Sequence, residues 1–157
     1  MTATSFTMGV KGKAAAAWLA TQGIAPLPPP NSWLRLPGGD LILRLGRGEY
    51  LLTGSAAETL SAAWRDGQPE LYRVPRYDAG FFLSGEAGRA ALAEICTLDV
   101  RPPVIEDRVV MTLAAGISVI LICQEGDYRI WCDASYGDYL QRILQQTGKQ
   151  SFQGDIP

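Results

Sequence analysis

One short segment occurs twice in this chain. Gly9-Val10-Lys11-Gly12-Lys13-Ala14-Ala15 and Gly85-Glu86-Ala87-Gly88-Arg89-Ala90-Ala91 both read Gly-x-x-Gly-(Lys/Arg)-Ala-Ala. A β-like run precedes each copy, Ser5 to Met8 and Phe81 to Ser84. A helix-like run comes after each, with Trp18 and Leu19 in the first and Leu92 and Ile95 in the second. Two glycines three apart between strand and helix suit a tight turn, a positive φ or a close backbone approach. A phosphate loop of the Gly-x-x-x-x-Gly-Lys-(Ser/Thr) kind needs wider glycine spacing and a hydroxyl after the lysine. Neither copy has them, so both read as structural turns.

The stretch downstream of each copy repeats as well. In the first half Ser32–Leu36 reads as a strand, and Leu41–Leu45 pairs with Glu49–Thr53 across Gly46-Arg47-Gly48 as a hairpin. Leu41, Leu43, Leu45, Tyr50 and Leu52 are assigned to one face. Ser55-Ala56-Ala57-Glu58 reads as a capping box for a helix lined by Ala56, Leu60, Ala63 and Trp64, stopped by Gly67. In the second half Val109–Leu113 is a strand. Ser118–Cys123 and Tyr128–Cys132 form a hairpin across Gln124-Glu125-Gly126-Asp127. Ser135-Tyr136-Gly137-Asp138 opens a helix lined by Tyr136, Leu140, Ile143 and Leu144, ended by Gly148. Gly48-Glu49-Tyr50 aligns with Gly126-Asp127-Tyr128, placing Leu43, Tyr50, Leu121 and Tyr128 at matching buried positions. Prolines 26 and 28–30 form an extended connector, with Pro102-Pro103 at the same place in the second half.

The order implies an α+β fold made of a duplicated strand-helix-strand-strand-strand-helix unit. The repeats span about 5–67 and 77–148, packed as a single domain over 1–148, with a flexible tail at 149–157. A chain of 157 residues has the usual size of one domain.

Residue types exclude several chemistries. There is no histidine, so Ser-His-Asp and Cys-His catalysis and histidine metal sites are absent. Cys96, Cys123 and Cys132 lack metal spacing. Cys123 and Cys132 share a hairpin face about 13 Å apart, too far for a disulfide, and read as buried thiols of a cytoplasmic protein. Net charge is −2, with the 14 basic residues scattered, unlike the basic stripe of a nucleic-acid binder. The longest apolar run, Ile117–Cys123, is a strand and far short of a membrane span. Lys11 and Lys13 before the alanines faintly imitate a signal peptide, but that run is poor in leucine and belongs to the repeat.

The second hairpin is apolar on both faces. Its alternate face carries Ile120, Ile122, Arg129 and Trp131, where a half-exposed sheet would carry polar residues. Either the other half of the domain covers that face, or Arg129 and Trp131, with Ile120 and Ile122, meet a partner subunit.

Several segments taken in order resemble the gamma subunit of heterotetrameric sarcosine oxidase. They are Phe81-Phe82-Leu83-Ser84-Gly85-Glu86-Ala87, Cys96-Thr97-Leu98-Asp99, Met111-Thr112-Leu113-Ala114 and Ser135-Tyr136-Gly137-Asp138-Tyr139-Leu140. The opening, Gly9–Leu19 followed by prolines and Asn31, does the same. The resemblance covers about residues 6–146. It implies the folate-binding-domain fold of the glycine-cleavage T-protein and aminomethyltransferases. It also implies a non-catalytic, cytoplasmic accessory subunit beside alpha and beta flavoprotein subunits, in a complex that demethylates sarcosine or a related N-methyl amino acid. FAD, FMN, NAD and tetrahydrofolate are then expected on other subunits. No catalytic, cofactor-binding or metal residue is expected here, and no nucleic-acid or membrane partner. The alternative readings are a stand-alone folate-binding or aminomethyltransferase-like protein and a free-standing small-molecule- or RNA-binding α+β module.

Overall fold

The computed structural model describes residues 6–150, without side-chain detail for 148–150. Within that range the chain divides into two compact units, 6–77 and 78–150.

The first unit contains β1 (Thr7–Lys11), α1 (Ala15–Thr21), β2 (Ser32–Arg35), β3 (Leu41–Arg44), β4 (Glu49–Thr53), α2 (Gly54–Ala63) and β5 (Tyr72–Val74). Its antiparallel sheet has the order β2-β3-β4-β1-β5. The second unit contains β6 (Asp78–Leu83), α3 (Gly85–Ile95), a short α4 (Pro102–Ile105), β7 (Val110–Ala114), β8 (Ile117–Gln124), β9 (Asp127–Asp133) and α5 (Gly137–Gln150). Its antiparallel sheet has the order β6-β9-β8-β7. Traced from the first strand of each meander inwards, β2-β3-β4-β1 and β7-β8-β9-β6 are the same path. In each unit the first strand lies beside the last strand of the meander, and a helix comes after each of those two strands.

Helices cover one face of each sheet. In the first unit Met8, Val10, Ile42, Tyr50 and Leu52 face Ala15, Trp18 and Leu19 of α1 and Ala57 and Leu60 of α2 in one apolar cluster. Trp18 and Trp64 meet edge to face, with centroids 5.2 Å apart. In the second unit Phe81, Leu83, Val119, Leu121, Cys123, Tyr128 and Ile130 meet Leu92 of α3 and Leu140 and Leu144 of α5. Leu140 is fully buried, Ile143 half-buried and Tyr136 exposed, so the expected stripe on α5 holds at two of its four positions.

Loop length accounts for one misassigned face. Leu45 N–H donates to Glu49 O at 2.9 Å, so three residues lie between the paired ends and odd positions oppose odd ones. Leu43 therefore pairs with Leu51, and Ile42 with Leu52. Leu41, Leu43 and Leu45 lie opposite Tyr50 and Leu52 across the sheet, and Ile42 is the counterpart of Leu121. All of these are buried. The second hairpin has a two-residue turn, Glu125 and Gly126, both at positive φ, as the type I′ turn of a tight hairpin requires. There the expected faces hold, with Cys123 opposite Tyr128 and Val119 opposite Cys132.

The repeated glycine segments are not structural equivalents. Val10 pairs with Tyr50 and Leu83 with Tyr128, so the ladder equates Val10 with Leu83. The first copy thus covers the end of β1 and the turn after it, while the second opens α3. Other local signals were overridden by tertiary contacts. The Ser55–Glu58 box does not cap α2. The helix begins at Gly54 after Thr53, and Asp40 from the β2–β3 turn accepts from Ser55 Oγ at 2.7 Å and Ala56 N–H at 2.9 Å. Gly54, at φ 66°, has no room for a side chain, because a Cβ would lie 1.9 Å from Asp40 Oδ1. The α2 helix also stops at Ala63, before Gly67. Asp133, rather than the Ser135 segment, caps the 3-10 turn that leads into α5, accepting from Ser135 N–H at 2.9 Å. Pro102-Pro103 starts the short helix α4 instead of an extended connector, consistent with the fixed φ of proline in a first helical turn. The last helix runs past Gly148 to Gln150. Of the expected tail, 151–157 lies outside the described residues.

Tyr50 and Tyr128 occupy matching places but differ in one bond. Tyr128 Oη donates to Val100 O at 2.8 Å, whereas Tyr50 Oη is buried without a partner among the described residues. Tyr128→Phe is expected to lower unfolding free energy by about 0.5–1.5 kcal/mol, while Tyr50→Phe leaves it unchanged or raises it. Urea denaturation of both variants checks this, and equal losses would count against the assigned hydroxyl environments.

Candidate partner-facing surface

The strands of the second unit bring Ile120, Ile122, Arg129 and Trp131 together on the sheet face away from the helices. Trp131 is paired with Ile120 on one side and Gly80 on the other, and Arg129 with Ile122 and Phe82. Gly80 leaves the Trp131 indole unopposed on that side of the ladder. The Arg129 guanidinium stacks over Phe82 at 5.8 Å from the ring centroid, a favourable cation–π placement. Arg129 Nε is buried with no hydrogen bond among the described residues.

Burial separates these residues from a free surface. Ile122 is fully buried, Trp131 is 4% exposed and Ile120 is 8% exposed. Arg129 is half-buried. The three apolar side chains are thus covered within this one chain. The exposed apolar residues on the same face lie at its two margins: Phe82 on β6 at 48%, and Met111 and Leu113 on β7 at 57% each. Met111 is opposite Ile120 and Leu113 opposite Ser118, so both point to the Trp131 side. Sequence reading missed this rim, because no polar–apolar alternation marks it: the exposed positions are the apolar Met111 and Leu113, while Val110 and the polar Thr112 are half-buried. Because β6 and β7 end the strand order, each has one edge without a neighbouring strand among the described residues, and such edges are where further chains add.

Among the described residues no three His, Cys, Asp or Glu side chains gather as a metal site would need. All three cysteines are free and buried. Burial pushes the Cys132 thiol up to about 11 and also raises Cys123. Both are therefore protonated and poorly nucleophilic at neutral pH. Burial likewise pushes Tyr128 up to about 12. No helix among the described residues is long and apolar enough to cross a membrane.

No protein-family model matches the chain, and no curated protein matches it. Among solved structures it matches a chain of the heterotetrameric sarcosine oxidase from Corynebacterium sp. U-96, in complex with pyrrole 2-carboxylate. The TM-score is 0.77 at 22% identity, over 99% of this chain and 85% of that one. The α+β fold, with its two antiparallel sheets and five helices, is therefore one found in that enzyme. The resemblance carried by the sequence segments has a structural counterpart along nearly the whole chain.

This geometry sets two expectations. Trp131→Ala should cost the isolated chain about 3–5 kcal/mol, as buried aromatic truncations do. Met111→Ser should stay within about 0.5 kcal/mol of wild type. Near-neutrality of Trp131→Ala would mean the indole is not held in the interior. The second concerns pH. The folded Cys132 thiol binds its proton more tightly than the unfolded one. Its contribution is complete below the ordinary thiol range and is lost as pH rises through about 11. Wild-type urea midpoints should fall across that alkaline window more steeply than those of Cys132→Val, and parallel curves would contradict the assignment.

Proposed function

We propose that this chain is a small accessory subunit, of the gamma type, in a heterotetrameric flavoprotein oxidase that demethylates sarcosine or a related N-methyl amino acid. The observation that carries the proposal is the extent of the fold match. It takes in 99% of this chain and 85% of the matched one, so the likeness is to a chain of similar length rather than to one domain of a large catalytic subunit. The duplicated unit is read as the folate-binding-domain fold without its ligand chemistry. The redox and folate cofactors belong, in this reading, to alpha and beta flavoprotein partners in the cytoplasm. The absence of histidine from the sequence and the protonated, buried thiols support a subunit that acts through its surface.

The partner contact is assigned to the apolar rim. Phe82, Met111 and Leu113 are exposed side chains beside a packed, covered centre, and an interface hot spot of this kind needs accessible apolar anchors next to rigid support. Trp131, Ile120 and Ile122 form that support, and the Arg129 guanidinium stacks over the Phe82 ring.

Co-expression with alpha and beta flavoprotein subunits of the sarcosine oxidase type tests the assignment. The wild-type chain should co-purify with them, whereas Met111→Asp with Leu113→Asp should remain folded and lose co-purification by at least roughly tenfold. Alone, the chain should be colourless and should produce no peroxide with sarcosine. Stoichiometric flavin on the isolated chain, or amine-dependent peroxide from it, would refute the accessory role.

A further inference from the structure

A cleft of about 590 Å³ opens in the first unit, between the turn after β1 and the β3–β4 turn. That volume lies within the roughly 300–1,000 Å³ typical of small-ligand sites. Its walls carry Lys11, Lys13, Arg44 and Arg47 against the single carboxylate of Glu49. The whole chain carries a net charge of −2, so this concentration of cations runs against the composition.

The construction of the cleft is specific. Gly12 N–H donates to Gly48 O at 2.9 Å and ties the two turns together. A Cβ on Gly48 would lie 2.8 Å from Gly12 O, and one on Gly12 would lie 2.0 Å from Glu70 O. The floor is therefore bare backbone by steric necessity. Arg44 is pinned beside it, donating from Nε to Gly46 O at 3.2 Å and from Nη1 to Pro28 O at 3.2 Å. Its charge is held by neutral carbonyls and by the Tyr50 ring at 5.3 Å, and it forms no ion pair among the described residues. Lys11 and Arg47 are exposed and form no ion pair among the described residues, although Glu49 is the ladder neighbour of Lys11. Lys13 meets Glu70 at 3.3 Å, but both side chains are largely exposed, and such a pair is weak enough for a competing anion to displace.

We infer that this cleft binds a small, multiply charged anion bearing phosphate or carboxylate groups, with Arg44 as the fixed charge and Lys11, Lys13 and Arg47 closing over it. Fixed guanidinium charge with mobile ammonium groups around a glycine floor lets a ligand approach closely and be neutralised from several sides. The spacing that disqualified Gly9–Ala15 as a nucleotide loop does not decide this site, because only Lys11 and Lys13 belong to that segment, while Arg44 and Arg47 come from the end of β3 and the turn after it. The inference is independent of the accessory-subunit reading.

The test is a backbone-amide NMR titration of the full chain at low salt with inorganic pyrophosphate, and separately with citrate. Expected are saturable shifts centred on Gly12, Gly46 and Gly48, with a dissociation constant of about 1 mM or tighter. Weakening by added chloride is expected as well. Lys11→Ala with Arg47→Ala should weaken binding at least roughly tenfold, while Arg142→Ala in the other unit should not change it. Pyrophosphate alone binding assigns a phosphate ligand, citrate alone a carboxylate ligand, and both a site selective for charge only. Shifts scattered over the surface, no saturation with either anion, or an unchanged constant in a folded double variant would overturn the inference.

Discussion

Each unit is closed by one ladder, the antiparallel pairing of its first strand with the last strand of its meander. That contact joins residues far apart in the chain, Met8 with Leu52 and Phe81 with Ile130. It carries the loop-closure cost of the whole unit. Once it forms, the helix after the first strand and the helix after the last strand must both come down on the same face. Val10 beside Tyr50 and Leu83 beside Tyr128 are where the two helices and the sheet converge. The largest fully buried side chain of each unit is that tyrosine. A tyrosine there supplies the volume to fill the space between two helices, while its hydroxyl demands a partner. Val100 O supplies one in the second unit.

Such a sheet has a second face, and here that face is apolar too. Leu41, Leu43 and Leu51 in the first unit are as fully buried as any residue on the helix side. So is Ile122 in the second, with Trp131 close behind. Side chains buried on both sides of a strand remove the polar–apolar alternation from its sequence. That is why Leu41–Leu43 in β3 and Val119–Cys123 in β8 read as continuous apolar runs and why the alternate face is visible in the sequence alone.

The legible features are those that depend on chain-local physics. Strand and helix order, the Glu125-Gly126 turn and the faces of the second hairpin are set by residues within a few positions of one another. The face of β3 turns on parity: the three-residue loop Gly46-Arg47-Gly48 pairs odd positions with odd ones, so Leu41, Leu43 and Leu45 do not share a face with Tyr50 and Leu52, and a single residue inverts every side chain. The capping of α2 was illegible for a different reason. Asp40 reaches it from another turn, and the serine that looked like the cap is one of that carboxylate's donors. The glycine repeat misled because sequence identity marked two turns that the ladder does not equate. Of the candidate surface, the centre was found from its missing polar–apolar alternation, and the sequence left open whether it is covered within the chain or meets a partner. Residue type distinguishes an apolar side chain from a polar one and does not tell a covered Trp131 from an exposed Met111.

The distinction decides how such a chain can act on a partner. Side chains that hold the sheet together are already desolvated, so joining a complex gains nothing further from burying them. Phe82, Met111 and Leu113 still have apolar area to lose, and they are carried on strands rather than loops, so little conformational entropy opposes their docking. Arg129 adds to that advantage, because its guanidinium stacks over the Phe82 ring, a contact that favours one placement of the ring. Arg44 does the same on the first unit for charge: pinned by backbone carbonyls, it presents a cation whose position is fixed before any anion arrives. Both arginines are bound into the sheet at one end and influence the surface at the other. Side chains preorganised in this way bind at lower cost, since the entropy lost in ordering them at folding is not lost a second time on binding.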